Sequence, residues 1–127
     1  MASEMTERFM RALQEMEQSG NVRGMVDLFS EGAELQRMTG DTHNGGRQGT
    51  EKFWQEYLAT ARKIRTRFTN VIEDGSTAVM EWVSRAEPET AEPFEYEGVS
   101  IIEVADGKVN RFRTYYDSAR FVQPTAR

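Results

Sequence analysis

Only one side chain in this sequence titrates near neutrality without help from its surroundings, His43. It stands in a polar, glycine-rich stretch, Thr39-Gly40-Asp41-Thr42-His43-Asn44-Gly45-Gly46, which reads as a loop. It could serve there as a general base, but no orienting partner is evident, and Asp41 with His43 does not make a metal set. A solvated loop histidine is the expectation. Asp117 is the second catalytic candidate. Acid catalysis would need it turned inward, whereas its parity with Arg111 and Arg113 favours a strand-end cap or an ion pair. With no cysteine, the chain has no thiol nucleophile, thiolate metal site or disulfide. No phosphate-binding loop or dinucleotide motif is present, so no cofactor is expected. What remains is an aromatic set: Trp54, Tyr57, Trp82, Tyr96, Phe112 and Tyr116. Such rings are either plain core or the wall of a pocket whose N–H and O–H groups orient a ligand.

The elements that must position these groups follow from periodicity. Met5, Phe9, Leu13 and Met16 recur at helical spacing, and Ser19-Gly20 ends that helix. Asn21 is a plausible N-cap for a second helix carrying Val22, Met25, Val26 and Phe29. Ala33 to Met38 reads as a short strand. After the glycine-rich loop, Thr50 caps a third helix with Phe53, Trp54, Tyr57, Leu58 and Ala61 as its stripe. From Ile64 the period becomes two. Strands are expected over 65–73, 77–86, 94–104 and 109–117, with Asp74-Gly75 and Asp106-Gly107 as hairpin signals. The connection holding Pro88 and Pro93 is too long for a tight turn. The predicted fold class is α+β, in one domain spanning 1–127, with 122–127 as a tail.

Leu, Ile, Val and Phe total 24 of 127 residues, low for a folded chain, but net charge is only −5 and seven Met, four Tyr and two Trp supply further apolar area. A folded domain rich in aromatics and Met is expected. Mild acidity argues against a nucleic-acid partner. No apolar run approaches a membrane span, and the first eight residues lack the order of a secretory signal. The cytoplasm is the expected location.

Three stretches carry a family resemblance. They are Asn21-Val22-Arg23-Gly24-Met25-Val26-Asp27-Leu28-Phe29 with Ala33-Glu34-Leu35; Gln48-Gly49-Thr50-Glu51-Lys52-Phe53-Trp54; and the hairpin Glu103 to Val109 followed by Arg111-Phe112-Arg113-Thr114-Tyr115-Tyr116-Asp117. In order and spacing they resemble the NTF2-like superfamily, and within it the SnoaL-like group, over about residues 5–121. The resemblance implies a cone: three N-terminal helices on the concave face of a strongly curved, mostly antiparallel sheet. It also implies that Trp82, Ser84, Tyr96, Ser100, Thr114 and Tyr116 face inward, with Arg37 near the mouth.

The chemistries of that superfamily fit these residues poorly. Ketosteroid isomerase chemistry needs a carboxylate base where Arg37 stands, and a guanidinium is not a base at neutral pH. Limonene epoxide hydrolase chemistry needs a carboxylate–Arg–carboxylate cluster where Trp82, Ser84 and Thr114 stand. Scytalone dehydratase chemistry needs two His, and the chain has one. The resulting expectation is a pocket for a small, largely apolar or aromatic molecule, lined by Arg37, Trp54, Tyr57, Trp82, Ser84, Tyr96, Ser100, Thr114 and Tyr116. Arg37 could grip a ligand carboxylate or enolate in two-pronged fashion. One alternative is a non-catalytic dimeric interaction module, joined through Val79, Val83, Val99 and Ile101 on the outer sheet face. Glu95, Glu97 and Glu103 would form a charge ladder with Arg65, Arg67, Arg111 and Arg113. The other is an isomerase, cyclase or hydrolase with a non-standard catalytic set.

Overall fold

The computed structural model describes residues 3–38, 42–43 and 45–121. The expected tail, 122–127, lies outside them. Helix α1 (Glu4–Ser19) opens where the Ser3 hydroxyl accepts the Thr6 N–H, and it closes on Gly20 at φ 75°, whose N–H returns to the Met16 carbonyl. Its buried stripe is Thr6, Phe9, Leu13, Met16 and Glu17. The last of these is the one carboxylate on that face.

The second helix is much shorter than the periodicity suggested. α2 covers only Arg23–Val26, and Phe29 instead begins strand β1 (Phe29–Gln36). Apolar residues at 22, 25, 26 and 29 are all buried, so the spacing tracked burial correctly while the backbone left the helix early. Asn21 still bonds the first turn, accepting the Arg23 N–H at 2.9 Å. A two-residue strand, β2 (Thr42–His43), sits in the glycine-rich stretch. Helix α3 (Gly46–Leu58) starts four residues before Thr50, which is buried inside it rather than capping it.

The remaining strands are β3 (Lys63–Asp74), β4 (Thr77–Glu87), β5 (Phe94–Ala105) and β6 (Lys108–Tyr116), followed by a one-turn 3-10 helix, Ser118–Phe121. Asp106 and Gly107 both have positive φ (54° and 74°), the geometry that a two-residue hairpin turn needs. The sheet order is β2-β1-β6-β5-β4-β3. Among the described residues, only β1 and β6 run parallel; the other pairs are antiparallel. Register shifts between Phe68 and Asn70, and between Glu103 and Val104, mark irregularities of the kind that bend a sheet. The three α-helices pack against one face of this curved, unclosed sheet.

The core falls into two clusters of buried residues, with the partly buried Phe68 packed against both. One cluster joins the buried faces of α1, α2 and α3 to β1, β4, β5 and β6 through Phe9, Met25, Leu35, Trp54, Met80, Ile102 and Phe112. A second, smaller cluster of Trp82, Ala86 and Tyr96 sits farther along β4 and β5.

Candidate functional site

Strand parity sets what lies between the two clusters. Trp82, Ser84 and Ala86 share one face of β4, and all are buried. Tyr96 and Ser100 face the same way from β5, as do Phe112, Thr114 and Tyr116 from β6. Helix α1 contributes Phe9 and Leu13; α3 contributes Phe53, Trp54 and Tyr57. These side chains enclose a partly open, mainly apolar cavity of about 110 Å³. An apolar cavity of about 150 Å³ can hold benzene, so the enclosed space is of single-ring size. A second hollow of about 240 Å³ adjoins it and shares Thr60, Tyr96 and Phe121.

Every residue that the sequence reading assigned to a pocket wall lines this cavity: Arg37, Trp54, Tyr57, Trp82, Ser84, Tyr96, Ser100, Thr114 and Tyr116. They divide into core and wall. Trp54 is only 2% exposed and packs its indole against Phe9, Phe29, Phe53 and Phe112 at centroid distances of 5.0–6.4 Å. Trp82 behaves differently. Its Nε1 donates to Ser100 Oγ at 2.9 Å, and Ser100 Oγ lies 3.1 Å from Thr114 Oγ1. Gly98 stands opposite Trp82 on β5. A Cβ there would come within 2.5 Å of the indole and of the Tyr115 carbonyl, so the missing side chain is what lets the indole lie across β5.

Three residues that sequence reasoning passed over complete the site: Glu17, Thr66 and Phe121. The first is Glu17. Its Oε1 accepts the Thr66 N–H at 2.8 Å, and its Oε2 accepts the hydroxyls of Thr66 and Tyr57 at 2.6 Å each. Thr66 Oγ1 is in turn 2.7 Å from Ser84 Oγ. Arg65 donates to the Glu17 backbone carbonyl at 2.9 Å. Burial raises the Glu17 pKa above its ordinary value, opposed by the bonds from Thr66 and Tyr57 and by the charge of Arg65. Burial also drives Tyr57 well above its ordinary range, helped by the neighbouring carboxylate, and lifts Tyr96 to about 12. A signal was available in the sequence: Glu17 stands four residues after Leu13, on the buried stripe. Another is Phe121, which belongs to the 3-10 helix and packs on Phe94, Tyr96 and Tyr116 at centroid distances of 4.6–5.3 Å.

Arg37 lines the cavity, but its guanidinium is already engaged. Nη2 bonds Glu56 Oε1 at 2.9 Å and the Phe53 carbonyl at 3.2 Å, and the group lies 4.4 Å above the Phe53 ring. Nη1 meets His43 Nε2 at 3.3 Å. An arginine only donates, so His43 Nε2 is the acceptor in that contact. The bond from Arg37 holds the Glu56 carboxyl below its ordinary value. His43 is thus a neighbour of Arg37 and Phe53, and is absent from the cavity lining.

Asp117 is exposed and outside the cavity; its Oδ1 accepts the Ala119 N–H at 3.1 Å and so caps the 3-10 helix. The expected charge ladder is reduced, among the described residues, to Glu103 with Arg111 and Arg113 at 3.4 and 3.3 Å. Arg65 turns instead to backbone carbonyls. No cluster of three or more metal-ligating side chains occurs among the described residues. No helix there is long and apolar enough to cross a membrane.

A curved sheet half-covered by three helices, with a ring-lined cavity between, defines a cone-shaped NTF2-like fold. The sequence profile of the SnoaL-like domain matches residues 6–112, and the chain belongs to that family. No curated protein matches it. Among solved structures, TerC co-crystallised with polyporic acid is 17% identical, with a TM-score of 0.79 over 94% of this chain and 95% of that one. An NTF2-like protein of unknown function from Burkholderia pseudomallei is 15% identical, with a TM-score of 0.80 over 94% and 95%. A putative SnoaL-like polyketide cyclase from Jannaschia is 14% identical, with a TM-score of 0.77 over 98% and 99%. Likeness at this level of identity establishes the fold and leaves the chemistry to the site.

Proposed function

We propose that this SnoaL-like protein binds a small, largely apolar, ring-bearing molecule in the cavity between its two core clusters. The observation that carries the reading is the lining itself. Rings supply most of the wall, and hydroxyls from Thr66, Ser84, Ser100 and Thr114 interrupt it at a few points. That composition suits an apolar body with a few fixed polar atoms. The co-crystallisation of TerC with polyporic acid supports a ligand of this kind. The enclosed volume favours one ring inside, with any larger remainder passing Phe121 toward the second hollow. His43 and Asp117 stand outside the lining, which favours binding, or chemistry by other groups, over catalysis by either of them.

The test is a panel of aromatic and terpenoid compounds, followed by tryptophan fluorescence and thermal unfolding. Trp54 and Trp82 both line the cavity and are the only tryptophans. At least one compound should quench or shift their emission in a saturable way and raise the melting temperature. Silence across the panel would argue strongly against the reading.

The outer face supports a second, compatible proposal, a homodimer. Val79, Val83, Val99 and Ile101 remain half-buried there, and Tyr115 is 39% exposed. Sedimentation at rising concentration tests it; a monomer throughout would remove it. The cysteine-free composition suits a reducing compartment, and the cytoplasm is the proposed location.

A further inference from the structure

The proton directions in the cavity wall can be worked out from their partners. An ionised carboxylate has no hydrogen to give. Both 2.6 Å contacts at Glu17 Oε2 are therefore donated to it, one by Thr66 Oγ1 and one by the Tyr57 hydroxyl. A hydroxyl has one hydrogen. With that of Thr66 committed to Glu17, the 2.7 Å contact between Thr66 and Ser84 must be donated by Ser84. Tyr57, Thr66 and Ser84 all line the cavity; the Tyr57 and Thr66 hydrogens are turned to the carboxylate and that of Ser84 to Thr66.

On the other side of Trp82 the count differs. Ser100 Oγ accepts the indole N–H, and Ser100 and Thr114 share one bond between them. Two hydroxyl hydrogens serve one contact, so one is left over for an acceptor.

We infer that ionised Glu17 makes the Tyr57–Thr66–Ser84 wall an acceptor of hydrogen bonds, so that the molecule taken here is a ring bearing a phenol- or enol-type O–H. The free hydroxyl at Ser100 and Thr114 would meet an acceptor oxygen on the same molecule. The inference rests on the cavity being a binding site, and it adds the ligand's polarity. The other charged or titratable groups facing Glu17 are Arg65 from β3, Tyr57 from α3 and Tyr96 from β5. Burial opposes the ionised form, while the three donors aimed at it from Thr66 and Tyr57, and the charge of Arg65, favour it.

Substituting the acid by its amide should invert the wall. In Glu17→Gln the amide oxygen can still take the Thr66 N–H, while the amide N–H₂ would donate to Thr66 Oγ1 and the Tyr57 oxygen. Their hydrogens are then freed, Thr66 donates to Ser84, and Ser84 and Tyr57 can donate into the cavity.

The experiment compares two single-ring probes at pH 8, p-cresol as O–H donor and 4-methylacetophenone as acceptor only. Dissociation constants come from isothermal titration calorimetry and from amide chemical-shift titration. The wild-type protein is expected to bind p-cresol about tenfold more tightly, and Glu17→Gln to abolish or reverse that preference. Ser84→Ala, a smaller change, should reduce the preference if the amide variant does not fold. Equal affinity of the two probes for the wild type would overturn the inference while leaving the binding site standing. So would an unchanged ratio in a folded Glu17→Gln or Ser84→Ala protein. Failure of both probes to bind the wild type at millimolar concentration would remove the binding reading and this inference with it.

Discussion

A carboxylate taken out of water costs several kcal/mol unless donors replace its hydration. Glu17 has three such donors, the N–H and O–H of Thr66 and the Tyr57 phenol, and it ties α1 to both β3 and α3. Glu17→Ala would strand those groups at once. A loss of about 3 kcal/mol is expected, readable by urea denaturation. The pH dependence carries its own sign. Burial raises the folded-state pKa of Glu17 above its ordinary 4.5, so the folded protein holds this proton more tightly than the unfolded chain. The Glu17 contribution to stability is therefore greatest below 4.5 and is lost as pH rises through its folded value. Glu56 and Glu73 are shifted the other way, by bonds from Arg37 and from Thr6 and Ser3 respectively. Their contributions are present above 4.5 and fade only in more acid solution. Melting curves from pH 2 to 8 on the wild type and on Glu17→Gln should separate the two windows, with the variant losing the decline above pH 4.5. An identical profile in both proteins would contradict this assignment.

At the scale of elements, the β4–β5 pair and the 3-10 helix shape the cavity. Trp82 can cross β5 only because residue 98 lacks a Cβ. Gly98→Ala should displace the indole, break its bond to Ser100 and cost about 1–3 kcal/mol through overpacking. A changed tryptophan emission with a lowered melting temperature is the expected result. Phe121 offers the opposite case. It is 44% exposed, yet it lines both hollows. Phe121→Ala should leave unfolding free energy within about 1 kcal/mol of wild type, while weakening the binding of any ligand longer than one ring. Probe affinities measured for one-ring and two-ring compounds would show whether only the longer ones suffer. Unchanged affinity for both would place Phe121 outside the ligand path.

For the whole molecule, the division of the core into two clusters is the decisive feature. A continuous core would maximise burial; here the interior is interrupted by about 110 Å³ of space, and leaving such space unfilled forfeits packing energy. A ligand that fills it should therefore act as a stabiliser. At a concentration one hundred times its dissociation constant, it would add about 2.7 kcal/mol, which corresponds to roughly 10 °C in melting temperature for a domain of this size. Differential scanning calorimetry on the titrated protein checks this. A bound ligand that leaves the melting temperature unmoved would place its site elsewhere.

Much of this was written in residue order. Alternation along 77–86 put Trp82 and Ser84 on one face of a strand, and along 94–104 put Tyr96 and Ser100 on one face of the next, because strand geometry fixes parity locally; that these faces turn inward was implied by the family resemblance. The hairpin at Asp106-Gly107 and the cap at Gly20 were legible for the same reason: backbone φ preferences belong to single residues. The tertiary structure decided the rest. Phe29 left the second helix for β1 because pairing beside β6 outweighed a helix of marginal length. Arg37 found Glu56, a partner nineteen positions away, and Glu17 found Thr66 across forty-nine. Hydrogen bonds between distant residues form only once packing brings their elements together, so no spacing rule records them, and the direction of each proton in the cavity wall follows from those distant pairs.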